Sequence, residues 1–287
     1  MTLRKVNRIV ESIEVMEGAG VKVHRSIGKP ELRNLDPFLM LDYFNNSDPD
    51  DYLAGFPSHP HRGFNTFSYI LEGNMSHEDS MGNTGNLSAG CAQWMKAGSG
   101  VIHSEIPTQT EGSMRGFQLW INLPANEKMS EPNYQEFSPE VFPVIETENT
   151  RVKVLLGEYQ DKIGPINDPA TKVQYFDVAL NGNAYFEHKI ASGMACFIFL
   201  FEGDAKVGES NIKQNQLAIL TDGEELIIGA GEKGARFILV AGKPIGEPII
   251  QQDPFVMNTE QEIIQAMSEY RADKLVKHKA AVINELT

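Results

Sequence analysis

Short apolar runs, broken at fairly regular spacing by Gly, Asn, Asp or Pro, leave this chain little choice but to fold as β-strands. Thr66 to Leu71 reads TFSYIL, β-branched and aromatic, and stops at the turn signal Glu72-Gly73-Asn74. Gly116 to Leu123 reads GFQLWINL, with Phe117, Leu119 and Ile121 on one face and Gln118, Trp120 and Asn122 on the other. Pro124 ends it. RVKVLLGEY, VQYFDVAL, MACFIFLFEG, LAILTDG, ELIIGAG and ARFILVAG follow in the same manner. Many short strands with even turn signals point to sandwiches or small barrels rather than a βαβ sheet.

Two halves share a plan. SYILEGNMSHED and CFIFLFEGDAKVGE each give an apolar strand, a Glu-Gly turn and a return strand, followed by GCAQWMKAG in one half and NQLAILTDG in the other. This weak internal repeat predicts a duplicated barrel. Pro124 to Pro143, rich in Pro and polar residues, reads as a linker, which places an N-terminal domain over 1–135 and a C-terminal one over 136–287. The end of the chain changes character: Thr259 with Glu262 has capping-box form, and Ile263, Ile264, Met267 and Tyr270 recur at helical spacing. The expectation is a C-terminal helix packed by that stripe, with the residues after Lys274 extending the helix or trailing off.

A chain of 287 residues suits two domains, each with its own core. A hydrophobic fraction of 41% with 22% charged residues is that of a soluble globular protein. No apolar run approaches the roughly 20 residues that span a bilayer, and the N-terminus lacks the continuous apolar segment of a secretory signal. Two isolated cysteines, Cys91 and Cys196, give neither a disulfide framework nor zinc-ribbon spacing, so a reducing compartment, cytoplasm or nucleus, is expected. The net charge of -14 and the absence of a Lys/Arg cluster argue against direct nucleic-acid binding.

Four residues stand out. His59 and His61 lie two apart in FPSHPHRGF, and His103 and Glu105 lie two apart in VIHSE. In extended chain, side chains two apart share a face, so two such pairs on neighbouring strands would converge inside one barrel. Three imidazoles and a carboxylate suit a borderline divalent metal and differ from closed Cys-rich zinc sites. A lone His-x-His says little; the second pair, with glycines near both, strengthens it. His24, His77 and His188 have no such partner and read as surface or hydrogen-bonded structural residues, and His278 as exposed in the tail.

DPFLMLDYF, GFPSHPHRGFNTFSYILEG, MKAGSGVIHSEIP, GFQLWINLP and DPFVMNTEQEI together resemble the pirin family of the cupin superfamily, over about Val21 to Arg271. The resemblance implies two tandem cupin barrels, all-β with a C-terminal helix. It further implies one non-haem iron in the N-terminal barrel, held by His59, His61, His103 and Glu105, and a metal-free C-terminal barrel. Where relatives usually carry glutamate after HPHRGF, this chain has Asn65, expected to alter hydrogen bonding around the ligands but not metal loading. Lys96 stands where relatives often have a smaller residue and is expected to be a surface change.

Pirin-like proteins are associated with quercetin 2,3-dioxygenase activity, the oxidative cleavage of a flavonol ring with release of carbon monoxide. In that reading Glu105 accepts the proton of the 3-hydroxyl as general base, and Phe56 walls the pocket. The family also includes nuclear transcriptional coregulators switched by iron oxidation state, for which an acidic surface fits a basic protein partner. A structural bicupin without activity is a third reading. Histidine and carboxylate would also accept Mn, Ni, Cu or Zn. Two barrels in one chain imitate the dimer of single-barrel relatives, so a monomer is expected.

Overall fold

The computed structural model describes residues 2–252 and 254–277, almost all of them in strands or the turns between strands. It divides into two compact units. One comprises Val15–Val23, Asp42–Ser138 and the chain from Gly246 onward; the other comprises Met1–Glu14, His24–Leu41 and Pro139–Ile245.

The first unit is built on two sheets. The larger has seven strands in the order Asn133–Phe137, Ala92–Lys96, Phe64–Glu72, Met114–Asn122 and then, by the parts that fall within this unit, Phe38–Asn46, Val21–Ile27 and Ile13–Glu17. The smaller has four, in the order Phe56–His61, Val101–Pro107, Met75–Asp79 and Thr84–Leu87. In the second unit a nine-stranded sheet carries the core of Val152, Val154, Phe176, Val178, Ile198, Leu200, Phe237 and Leu239. The expected all-β architecture in two parts, with a helix near the C-terminus, is what the described residues form.

The ends of the chain lie elsewhere than a split into 1–135 and 136–287 places them. The strand Val6–Glu11 pairs with Gln216–Leu220 of the second unit, covering an edge that would otherwise be open. The helix Glu260–Arg271 belongs to the first unit, with Ile263 and Ala266 buried among Phe255, Met257 and Leu275. The segment read as a linker also differs: Asn133–Phe137 pairs residue for residue with Ala92–Lys96 and so closes the larger sheet.

The helix begins as the capping box predicts. Thr259 Oγ1 accepts from the Glu262 amide at 3.2 Å, and Glu262 Oε2 accepts from the Thr259 amide at 2.9 Å. Its buried face runs through Ile263 and Ala266, whereas Ile264 is 65% exposed. One residue is about 100° of rotation, enough to carry Ile264 from the core to solvent. The helix stops at Arg271, and Leu275 folds back into the core at 1% exposure. His278 lies outside the described residues.

Candidate metal centre

His59 and His61 end the strand Phe56–His61, and His103 and Glu105 lie on its neighbour Val101–Pro107, with His103 directly opposite His59. The turn after His61 depends on Gly63. Its φ is +89°, and a Cβ there would stand 2.0 Å from the Val256 carbonyl oxygen. Arg62 is fixed beside it: Nε donates to the Ser99 carbonyl at 2.7 Å, and one terminal nitrogen reaches Glu269 at 2.6 Å.

The ligand atoms of His59, His61 and His103 all lie within 4.8 Å of one another. The two Nε2 atoms of His59 and His61 face each other at 3.1 Å, while the Nδ1 of His59 sits 2.8 Å from the Pro57 carbonyl oxygen. A carbonyl can only accept, so that contact assigns the proton to Nδ1 and leaves the Nε2 lone pair turned inward. His61 Nδ1 approaches the Pro254 carbonyl oxygen at 3.5 Å, a longer version of the same arrangement. His103 is 2% exposed and neither of its ring nitrogens has a hydrogen-bond partner. Burial, followed by repulsion from the neighbouring imidazoles, pushes His61 and His103 well below the usual histidine range. They are neutral at physiological pH, the form in which imidazole ligates a metal. An orphaned buried imidazole among converging lone pairs fits a metal ion, and the set could hold one.

Glu105 enters a second, overlapping set with His77 and His103, again within 4.8 Å of one another. It is 1% exposed; Gln118 Nε2 donates to its Oε2 at 2.8 Å, and Gln93 Nε2 donates to its Oε1. His77 is fully buried, which rules out the surface reading. Its Nε2 sits 3.4 Å from Asp79 Oδ2, and its ring stacks on Tyr134 at 4.2 Å. Burial works to raise the Asp79 carboxyl, but hydrogen bonds from His77, Asn83 and Met81 outweigh it, so the group lies below its ordinary range.

Phe64 and Trp120 stack at 4.3 Å, and each meets the His61 ring at 5.0 Å. They supply the aromatic wall. Phe56 instead packs on the core of Val21, Phe44, Tyr52 and Ile70. An open cleft of about 330 Å³ reaches His103, lined by Ser58, Glu78, Asp79, Ser80 and Asp273 together with Ile102 and Val276.

Asn65 is not where the sequence suggests. It pairs with Ile121 and Lys96, whereas Phe64, Thr66 and Ser68 pair with Asn122, Trp120 and Gln118. Strand alternation therefore turns Asn65 to the face opposite the centre. Lys96 shares that opposite face, partly exposed, with Nζ 2.7 Å from Glu127. Sequence reasoning missed Gln93, Tyr134 and Asp79. For Gln118 and Trp120 the signal was present: the polar face of GFQLWINL is the one turned to the ligands.

In the second unit, His188 lies opposite Leu226, and Phe186 opposite Ile228. Phe186, Leu226 and Ile228, all buried, are the apolar neighbours of His188 on this strand pair. His188 bonds Gln174 Oε1 at 3.0 Å beside a cavity of about 580 Å³.

Comparison with known proteins agrees with this architecture. The family model described as Pirin matches residues 20–121, and that described as the Pirin C-terminal cupin domain matches residues 175–276. A Pseudomonas aeruginosa protein named provisionally as a quercetin 2,3-dioxygenase is 47% identical, covering 89% of this chain and 92% of its own length. Human Pirin is 42% identical, covering 94% of this chain and 93% of its own. The crystal structure of a quercetin 2,3-dioxygenase from Acinetobacter baumannii superposes with a TM-score of 0.89 at 29% identity, covering 96% of this chain and all (100%) of the other. The chain belongs to the pirin family.

Proposed function

We propose that this protein is a metal-dependent quercetin 2,3-dioxygenase of the pirin type, with one iron held by His59, His61, His103 and Glu105. The carrying observation is His103, buried with both ring nitrogens unpartnered at the point where the other two imidazoles converge. Leaving such a group buried and unpaired costs about 1–3 kcal/mol, which a bound ion offsets. When bound there, iron supplies Lewis acidity and one-electron chemistry toward a flavonol and dioxygen. The chain's own residues do the rest. Phe64 and Trp120 exclude water from the inner side, and the cleft at Ser58, Ser80 and Ile102, with both polar and apolar lining, admits a hydroxylated ring. Glu105 accepts the substrate 3-hydroxyl proton.

Protein loaded with iron is expected to consume quercetin under air with stoichiometric release of carbon monoxide. His59→Ala is expected to lose metal and at least about 100-fold in rate, and Glu105→Ala a comparable factor in rate. Elemental analysis of protein purified without added metal identifies the native ion.

A second reading rests on the net charge of -14: a redox-sensitive coregulator of cytoplasm and nucleus, acting on a basic protein partner without turnover. No flavonol consumed by the metal-loaded protein, together with partner affinity that differs between ferrous and ferric forms, would decide for it. Among the described residues no helix is long and apolar enough to cross a membrane.

A further inference from the structure

Glu105, within reach of His103, is held by a built cradle of amides. It reaches from the smaller sheet toward a row formed by Gln93, Ser68 and Gln118, which stand side by side in register on three adjacent strands of the larger sheet. Gln118 Nε2 donates to Oε2 at 2.8 Å; Gln93 Nε2 and, at 3.4 Å, Ser68 Oγ donate to Oε1. The Gln118 amide is not free to turn over. Trp120 Nε1, which can only donate, gives its hydrogen to Gln118 Oε1 at 3.1 Å. The Tyr134 hydroxyl lies 3.3 Å from Gln93 Oε1, but its one hydrogen goes to the Glu136 carboxylate at 2.9 Å. The Gln118 amide oxygen is thereby occupied and its NH2 group turned to the carboxylate, and Gln93 turns its NH2 group the same way because a carboxylate can only accept.

We infer that Gln93 and Gln118 are positioning residues that make Glu105 a conditional ligand: the imidazoles form the permanent part of the centre, and the amide cradle competes with the metal for the carboxylate. This rests on the metal-centre reading above and deepens it. A carboxylate oxygen that already accepts hydrogen bonds is a weaker donor to a metal, and one with a second resting place can leave the metal to take up a proton. The arrangement gives Glu105 that second place without moving the histidines.

The test is a Co²⁺ titration of the full-length chain, followed by chelator competition and the visible ligand-field spectrum. Wild type, Gln93→Met, Gln118→Met and Ser68→Ala are compared, each also with Glu105→Gln. The expected result is affinity about 10-fold tighter in Gln118→Met and Gln93→Met, with a changed spectrum, and both differences absent in the Glu105→Gln background. Ser68→Ala, which removes only the 3.4 Å contact, shifts in the same direction by less and serves if a Gln variant does not fold. Unchanged or weaker affinity with the wild-type spectrum overturns the inference while the centre stands. No Co²⁺ uptake by wild type, or uptake indifferent to His59→Ala, overturns the centre itself.

Discussion

A buried imidazole must find a partner for each ring nitrogen or forgo the hydration it had in the unfolded chain. His103, buried in the first unit, and His188, partly buried in the second, meet this demand differently. His103 lacks any protein partner for Nδ1 or Nε2, whereas His188 places Nε2 3.0 Å from Gln174 Oε1 and packs its ring against Phe176 at 5.1 Å. Burial pushes His188 down to about 4. Its folded pKa thus lies below the roughly 6.5 of the unfolded chain, and between those values the unfolded state binds the extra proton. His188 therefore contributes stability that is fully present above pH 6.5 or so and is lost as pH falls through 4. Partial access to solvent tempers the effect to about 2 kcal/mol. Urea denaturation of His188→Gln from pH 7 to 4 is expected to show a shallower decline than wild type by that amount. An identical decline in both proteins would contradict it.

The elements set which residues meet. The C-terminal helix carries its own start signal, and removing it has a predictable cost: Thr259→Ala loses one cap bond and is expected to destabilise the first unit by about 1 kcal/mol. Because Glu269 of that helix holds Arg62, next to His61, the same variant is expected to weaken metal retention under chelator by a few-fold. Unchanged chelator half-life would detach the helix from the centre. At this scale the sequence was informative wherever one local rule sufficed. The i, i+2 pairs of FPSHPH and VIHSE gave the ligand candidates, and the alternation of GFQLWINL gave a two-faced strand. It was silent where the answer depended on pairing between distant strands. Nothing local tells that Gln93 and Gln118 flank Ser68, that Tyr134 is drawn from an apparent linker onto His77, or that Asn65 turns outward while Thr66 turns in.

At the scale of the whole molecule, the duplication visible in the sequence is real but its two copies are not sequential. Residues from Gly246 onward complete the first unit, and Met1–Glu14 complete the second. The consequence for the centre is specific. The Pro254 carbonyl approaches His61 Nδ1 at 3.5 Å; Lys128 Nζ donates to Gly63, Asn122 and, at 3.0 Å, Val256; Arg62 reaches Glu269 and the Leu275 carbonyl. Arg62 and Lys128 are each 1% exposed, so a fragment ending at Ser138 leaves two buried cations short of acceptors. An uncompensated buried charge costs about 3–5 kcal/mol, a large fraction of the stability of a domain this size. Residues 1–138 expressed alone are therefore expected to give no cooperative unfolding transition and to retain less than about a tenth of the full-length metal content. Restoration by a co-expressed segment from Gly246 onward would show that the tail supplies the missing acceptors. A fragment that folds and binds metal unaided would mean that the first barrel closes without the chain that returns to it.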